Sequence, residues 1–115
     1  MEYMLLIYSD PSRIRSATPE QISQMSAAFM AYTEALKKEK VWLGGDRLRP
    51  APEASVVRSA NGKTNVLNGP YAETKEHLGG YYLIDVPDLD TAIKRAARCP
   101  GAGGGTMEVR PVWAM

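Results

Sequence analysis

Of 115 residues, one is cysteine and one is histidine. The lone Cys99 excludes an intrachain disulfide framework and fits a reducing, cytoplasmic compartment. One histidine (His77), one cysteine and scattered carboxylates provide none of the ligand spacings that zinc sites use, so no metal and no cofactor is expected. No sign of charge dominates. Fourteen Lys/Arg against thirteen Asp/Glu leave a net charge of +1, which builds no long-range field for nucleic acid or an anionic membrane. No apolar run approaches the ~20 residues of a membrane span. Glu2 stands where a secretory signal carries basic residues, so Met4 to Tyr8 reads as a strand. The glycine clusters Gly44-Gly45, Gly79-Gly80 and Gly103-Gly104-Gly105 lack the G-x-x-x-x-G-K-[ST] and G-x-G-x-x-G spacings, and the last follows a helix instead of opening one, which excludes a phosphate loop. Tyr81 and Tyr82 invite base stacking, but without a basic-aromatic run they suit core and interface packing better.

What is present has the periodicities of one α+β domain over residues 1–115. Tyr3 to Tyr8 is an almost unbroken apolar run, the pattern of a strand covered on both faces. Thr18-Pro19-Glu20-Gln21 is a helix start: Thr18 caps, Pro19 suits the first helical position, and Gln21 closes a capping box. Ile22, Met25, Phe29, Tyr32 and Leu36 recur at helical spacing as one stripe. Lys37, Lys38 and Lys40 follow where the helix dipole favours cations, which predicts a helix from about Pro19 to Glu39. Val41 to Leu48 reads as a strand ended by Pro50 and Pro52. Asn61-Gly62 marks a type I′ hairpin between Ser55–Ala60 and Lys63–Asn68, pairing Val57 with Val66 and Val56 with Leu67. Tyr81 to Val86 is a further strand. Asp88 caps a helix from Leu89 to Arg98, whose inner face is Leu89, Ala92, Ile93, Ala96 and Ala97, and Cys99-Pro100-Gly101 ends it. Met107 to Val112 is the last strand.

Without the extra hairpin the order is βαββαβ, the ferredoxin-like split arrangement. Right-handed crossovers place both helices on one face of the sheet. The opposite face then carries Val, Leu, Tyr and Trp side chains with no helix over them, and a face so apolar calls for a partner. Two sheets packed face to face make a dimeric α+β barrel, so a homodimer through the open sheet face is expected.

The densest chemistry lies between Asn68 and Gly80, N-G-P-Y-A-E-T-K-E-H-L-G-G, where two rigid glycine-containing pairs bracket Glu73, Lys75, Glu76 and His77. By spacing alone this is either a solvated connector or a binding loop. Its wording resembles the Asp-Gly-Pro-Phe signature of the DGPF-type proteins, a branch of the YCII-related family. Met1 to Asp10, Leu43-Gly44-Gly45-Asp46, Gly69 to Val86 and Val109-Arg110-Pro111-Val112 also resemble family stretches, in family order. Asn68 and Tyr71 replace the first Asp and the Phe of the signature, and Gly101–Gly105 is richer in glycine than the family's connection. The resemblance implies a ferredoxin-like domain that dimerises, and an accessory role near extracytoplasmic-function sigma factors. A His-Asp pair near the first helix is a candidate dyad in other YCII-related proteins. It has no counterpart here, because no histidine lies between Pro19 and Glu39.

Asp46, Glu73, Lys75, Tyr81 and Arg110 form the candidate ligand-binding set, with Tyr81 or Tyr82 as an apolar wall. Arg110 stands in an otherwise apolar strand, so it is either salt-bridged to Asp46 or Glu73 or free to anchor a ligand. His77 is either a general acid or base or a loop neighbour of Glu76. No catalytic residue is assigned. Three functions fit: a small-molecule-binding protein, preferred here; an acid/base isomerase or lyase acting on a small anionic metabolite; and a dimeric interaction module without ligand. With no metal-site spacing, folding is predicted to be independent of metal. A thermal midpoint unchanged by excess chelator is the expected result, and a loss restored by zinc would refute it.

Overall fold

The N-terminal apolar run is one of the two inside strands of an antiparallel sheet. The structure, a computed structural model, describes residues 1–115. Four strands, β1 (Glu2–Ser9), β2 (Trp42–Arg47), β5 (His77–Asp85) and β6 (Thr106–Pro111), lie in the order β2-β5-β1-β6. A separate two-stranded sheet is the hairpin of β3 (Ser55–Ala60) and β4 (Lys63–Asn68). The helices are α1 (Pro11–Arg15), α2 (Pro19–Lys38), α3 (Leu89–Arg98) and α4 (Pro100–Gly104).

Two of the helix boundaries follow from their caps. Thr18 accepts from the Gln21 amide at 3.1 Å while the Gln21 side chain accepts from the Thr18 amide at 2.9 Å, the reciprocal pair of a capping box. Asp88 accepts from the Thr91 amide at 2.8 Å and starts α3 where expected. The carboxylate's hydrogen bonds to Thr91 hold it below the usual carboxylate range. Helix α1 was not foreseen: five residues are too few for a periodicity, and its only sequence cue is the capping Asp10 followed by Pro11.

One face of the sheet carries the whole core. Tyr3, Leu5, Tyr82, Ile84 and Val86 are buried with Tyr32 and Leu36 of α2, Ala92 and Ala96 of α3, and Cys99. Tyr82 stands edge-on to Tyr32 and to Trp42, with ring centroids 5.2 and 5.9 Å away, and its hydroxyl meets Thr33 Oγ1 at 2.9 Å. Gly45 permits this closeness, since a Cβ there would lie 2.8 Å from the Tyr81 carbonyl oxygen and 2.9 Å from the Tyr82 ring. Trp42 packs on the helix side and not on the open face for which Trp was expected, and it lies under the Lys37 ammonium, 5.2 Å from the ring centroid. Cys99 is buried as a small apolar group, and burial pushes its thiol up.

Three further expectations change. The α2 stripe is buried only at its C-terminal end: Tyr32 and Leu36 are in the core, Phe29 is half-buried, and Ile22 and Met25 are exposed. Leu89, Ile93 and Ala97 of α3 are likewise exposed, and only the Ala92–Ala96 line of that helix enters the core. The glycine-rich segment after Cys99 is the helical turn α4 and not a loop. There Gly101 comes so close to Ile7 and Met107 that a Cβ would lie 2.8 Å from the Ile7 side chain.

The hairpin forms as the turn chemistry requires, with φ of 52° at Asn61 and 75° at Gly62, and with the predicted registers Val57↔Val66 and Val56↔Leu67. Burial predicts a clear contrast within one stripe of α2. Leu36→Ala should cost about 2–5 kcal/mol in denaturant unfolding. Ile22→Ala should fall within about 0.5 kcal/mol of the parent, and comparable losses at both positions would contradict the one-ended packing.

Candidate functional site

Antiparallel register puts paired residues on the same face, so the open face reads as rows. Asp46 pairs with Tyr81, Tyr81 with Leu6, and Leu6 with Glu108, a row that crosses all four strands. In the next row Gly44, Leu83, Met4 and Arg110 follow one another. Tyr8 and Thr106 continue the face toward the opposite end. Leu6, Met4 and Leu83 make the middle apolar, and polar groups hold both edges.

Each edge pairs a phenol with a carboxylate. Tyr81 donates its hydroxyl to Asp46 Oδ2 at 3.1 Å on the β2 side. On the β6 side Tyr8 donates to Glu108 Oε1 at 3.2 Å, and the other Glu108 oxygen takes Nε of Arg110 at 2.9 Å together with its Nη2. The Asp46 hydrogen bond and charge hold the Tyr81 phenol above its ordinary value. Burial, then the Glu108 hydrogen bond and charge, do the same for Tyr8, against a lowering from Arg110. Both phenols are therefore neutral donors near neutral pH. The Arg110 guanidinium still has Nη1 free and its side chain is 69% exposed, so it can meet a ligand without breaking its hold on Glu108.

The residues singled out from sequence are divided by the structure. Asp46 and Tyr81 come together, and Arg110 shares their face across the sheet. Arg110 is bridged to Glu108 of its own strand, and not to Asp46 or Glu73 as the sequence suggested, because alternation puts residues two apart on one side. Tyr82, the other candidate wall, points into the core. Lys75 sits near Asp10, whose carboxylate is held below the usual range first by the Ser12 amide and also by that ammonium. Glu73 is exposed in the loop before β5. His77 is not in that loop: it opens β5 opposite Ser9, and Gly79 and Gly80 lie within the strand, where the register shifts. Its Nδ1 is buried without a hydrogen-bond partner. Glu76 accepts from Thr106 Oγ1 at 2.7 Å, tying the signature loop to the start of β6.

Tyr8 and Glu108 were missed. Their signal was present as alternation, since Glu108 and Arg110 are two apart in a strand and Tyr8 is the third of Met4, Leu6 and Tyr8. Only the β1–β6 register shows that the two strands bring them together. One row beyond Arg110, a groove of about 710 Å³ is lined by Met1, Glu2, Asp85, Pro111, Val112 and Trp113, and the N-terminal ammonium binds Asp85 at 2.8 Å within it. Nowhere do three or more His, Cys, Asp or Glu side chains gather as a metal site would need.

The Tyr81–Asp46 pair has a pH signature. Its folded pKa is raised, so the stabilisation is present below the unfolded value near 10 and is lost as pH rises through the folded value. Ultraviolet difference titration should show one tyrosine fewer ionising at high pH in Asp46→Asn than in the parent at that same late step, the phenol having returned toward 10. Superimposable titrations would show the pair to be absent.

Comparison with known proteins places the chain in a family. A family model, the YCII-related domain, matches residues 1–115. An uncharacterized protein of Rhizobium meliloti is 38% identical over 118 residues, covering 97% of this chain and 92% of that one. Among solved structures, the 5-chloro-2-hydroxyhydroquinone dehydrochlorinase of Burkholderia phenoliruptrix, in complex with 2,5-dihydroxybenzoquinone, superposes with a TM-score of 0.56 at 15% identity. It covers 98% of this chain and 94% of its own, a likeness of fold. The chain belongs to the YCII-related domain family.

Proposed function

We propose that this YCII-related protein binds a small anionic molecule on the open face of its sheet, between two copies packed face to face. The observation that carries the proposal is the exposed Arg110 fork beside an apolar floor, with the neutral phenols Tyr8 and Tyr81 of the two inner strands turned to the carboxylates Glu108 and Asp46 of the edge strands. A guanidinium with free N–H groups recognises a carboxylate or an enolate, and the apolar floor suits a small flat body. Asp46, Tyr81 and Arg110 of the sequence-derived set belong to this surface. Glu73 and Lys75 are proposed to close over it from the signature loop, as Glu76 is already tied to Thr106.

Several finer features belong to the same proposal. The strand order and the one-sided helices fit a ferredoxin-like domain, and pairing through the open face would give the dimeric α+β barrel. The Gly69-Pro70-Tyr71 run supports placement in the DGPF branch, with a cytoplasmic accessory role beside sigma factors resting on that resemblance alone. A second function, acid/base catalysis on a small anionic metabolite, is favoured by one observation: the similar fold in Burkholderia is a dehydrochlorinase. In this chain Glu108 would be the base, held between Tyr8 and Arg110.

Ligand-induced thermal stabilisation tests the proposal. A panel of small carboxylates and hydroxyquinones, 2,5-dihydroxybenzoquinone among them, should contain compounds that raise the melting midpoint of the parent protein. Arg110→Ala should melt within about 1 kcal/mol of the parent, since its ion pair is exposed, and should lose that ligand response. An equal response in the variant, or none across the panel in the parent, would refute the site. Turnover of any stabilising compound, abolished by Glu108→Gln, would move the conclusion to the enzyme.

A further inference from the structure

Strand β6 is a sheet edge with a neighbour on one side only. In the order β2-β5-β1-β6 that neighbour is β1. The Val112 amide donates to the Glu2 carbonyl at 2.9 Å, so alternation turns the main-chain groups of Thr106, Glu108 and Arg110 toward β1 as well. Those of Met107, Val109 and Pro111 point the other way, where no strand lies. The opposite edge is blunted, because β2 shifts register between Trp42 and Gly44 and is followed by Pro50 and Pro52. Strand β6 keeps an unbroken register along β1 and is the edge left open. The helix beside it is open on the same side. Arg95 and Arg98 of α3 turn to Glu39 at the end of α2, so Ile93 and Ala97, on the other side of the helix, face away from α2. They border a groove of about 400 Å³ whose other wall is Met107 and Val109, and Ile93 is 48% exposed there.

We infer that a second copy of this chain pairs along β6, antiparallel and centred on Val109, so that two four-stranded sheets become one and the two α3 helices lie side by side. The residues of the edge select this occupant. Met107-Glu108-Val109-Arg110-Pro111 is self-complementary about its middle residue. In that register each Glu108 stands opposite the other copy's Arg110, in the pair type that brings side chains closest. The two Val109 residues exchange their main-chain bonds, and each Met107 amide reaches the other copy's Pro111 carbonyl. A register centred on Glu108 sets like charges opposite each other. One centred on Arg110 does the same and also needs the amide that Pro111 lacks. Spacing agrees with the charges. With α3 set over β6 and β1, strands about 4.8 Å apart put the two α3 axes about 10 Å apart, a distance at which helices pack. The edge is a different surface from the open face and depends on no pairing there. Arg110 can serve both, since Nε and Nη2 hold its own Glu108 and Nη1 keeps two N–H donors, one for the other copy's Glu108 and one for a ligand.

The test is disulfide crosslinking between two full-length variants, Glu108→Cys and Arg110→Cys, mixed at micromolar concentration under mild oxidation. Cys99 is buried and stays out of the reaction. In the proposed register the two substituted positions are opposite, with Cα atoms about 4.5 Å apart, within the span of a disulfide. Either position and its own mate are two residues out of step, about 8 Å apart, and face-to-face sheets stand about 10 Å apart, so neither arrangement bridges. The mixed pair also keeps one native Glu108 opposite one native Arg110. The mixture is expected to form the crosslinked heterodimer at least about tenfold faster than either variant alone forms a homodimer. Ile93→Glu introduced into both variants is a surface change that leaves the fold intact. It is expected to slow the crosslink at least about tenfold by placing two carboxylates where the helices meet. No heterodimer, or equal crosslinking by the variants alone, would overturn the edge pairing. A rate unmoved by Ile93→Glu would overturn it too, since the helices would then not be in contact. The ligand response of the parent reads the open face independently of all these outcomes.

Discussion

Burial on one side of the sheet is the constraint on which the rest depends. Helices α2, α3 and α4 meet the sheet through the face that carries Tyr3, Leu5, Ile7, Tyr82 and Ile84, whereas Met4, Leu6, Tyr8 and Leu83 on the other face stand outside the core cluster and are only half-buried. Eleven of 115 residues are buried, so the hydrophobic stabilisation available to one copy is small for its length. The aromatic cluster of Tyr32, Trp42 and Tyr82 concentrates much of it, and Gly45 is the residue whose missing side chain lets β2 and β5 close beside that cluster.

The same constraint makes the open face chemically useful. An apolar floor excludes water poorly when uncovered and well when covered, and charge–dipole contacts strengthen as water leaves. The polar groups stand at the edges of that floor, Asp46 with Tyr81 and Glu108 with Tyr8 and Arg110. Glu108 is paired with the Arg110 guanidinium and takes the Tyr8 hydroxyl, so it can be covered without stranding a charge, whereas Asp46 has one neutral donor, Tyr81, and keeps its negative charge for whatever covers the face. Structure and site are coupled in this way: whatever covers the floor also sharpens the Arg110 fork.

Helix α2 and the hairpin were legible in the sequence because their determinants are local. A capping box, a proline at the first helical position and an Asn-Gly turn act within four residues of one another, and the structure has each in place. The α2 stripe misled for a related reason. Helical periodicity tells which side of a helix is apolar and says nothing about how much of the helix has a sheet beneath it, so Ile22 and Met25 were taken into a core that reaches only Tyr32 and Leu36. Gly79-Gly80 misled in the opposite direction. Two glycines read as a loop, whereas here they let β5 shift register against β1 and bring Gly80 beside Asp46.

By itself the sequence determined the class of the domain, the order of its six strands and two long helices, the hairpin register and the family, since these follow from spacing, turn chemistry and wording along the chain. Tertiary structure alone decided which side chains share a site. Arg110 meets Glu108 and not Asp46 because β-strand alternation outranks the attraction between distant opposite charges. Tyr8 joins that pair only through the β1–β6 register, and His77 becomes a strand residue only because β5 continues past its glycines. Contacts between strands 100 residues apart depend on register, and register is set by the packing of the whole sheet.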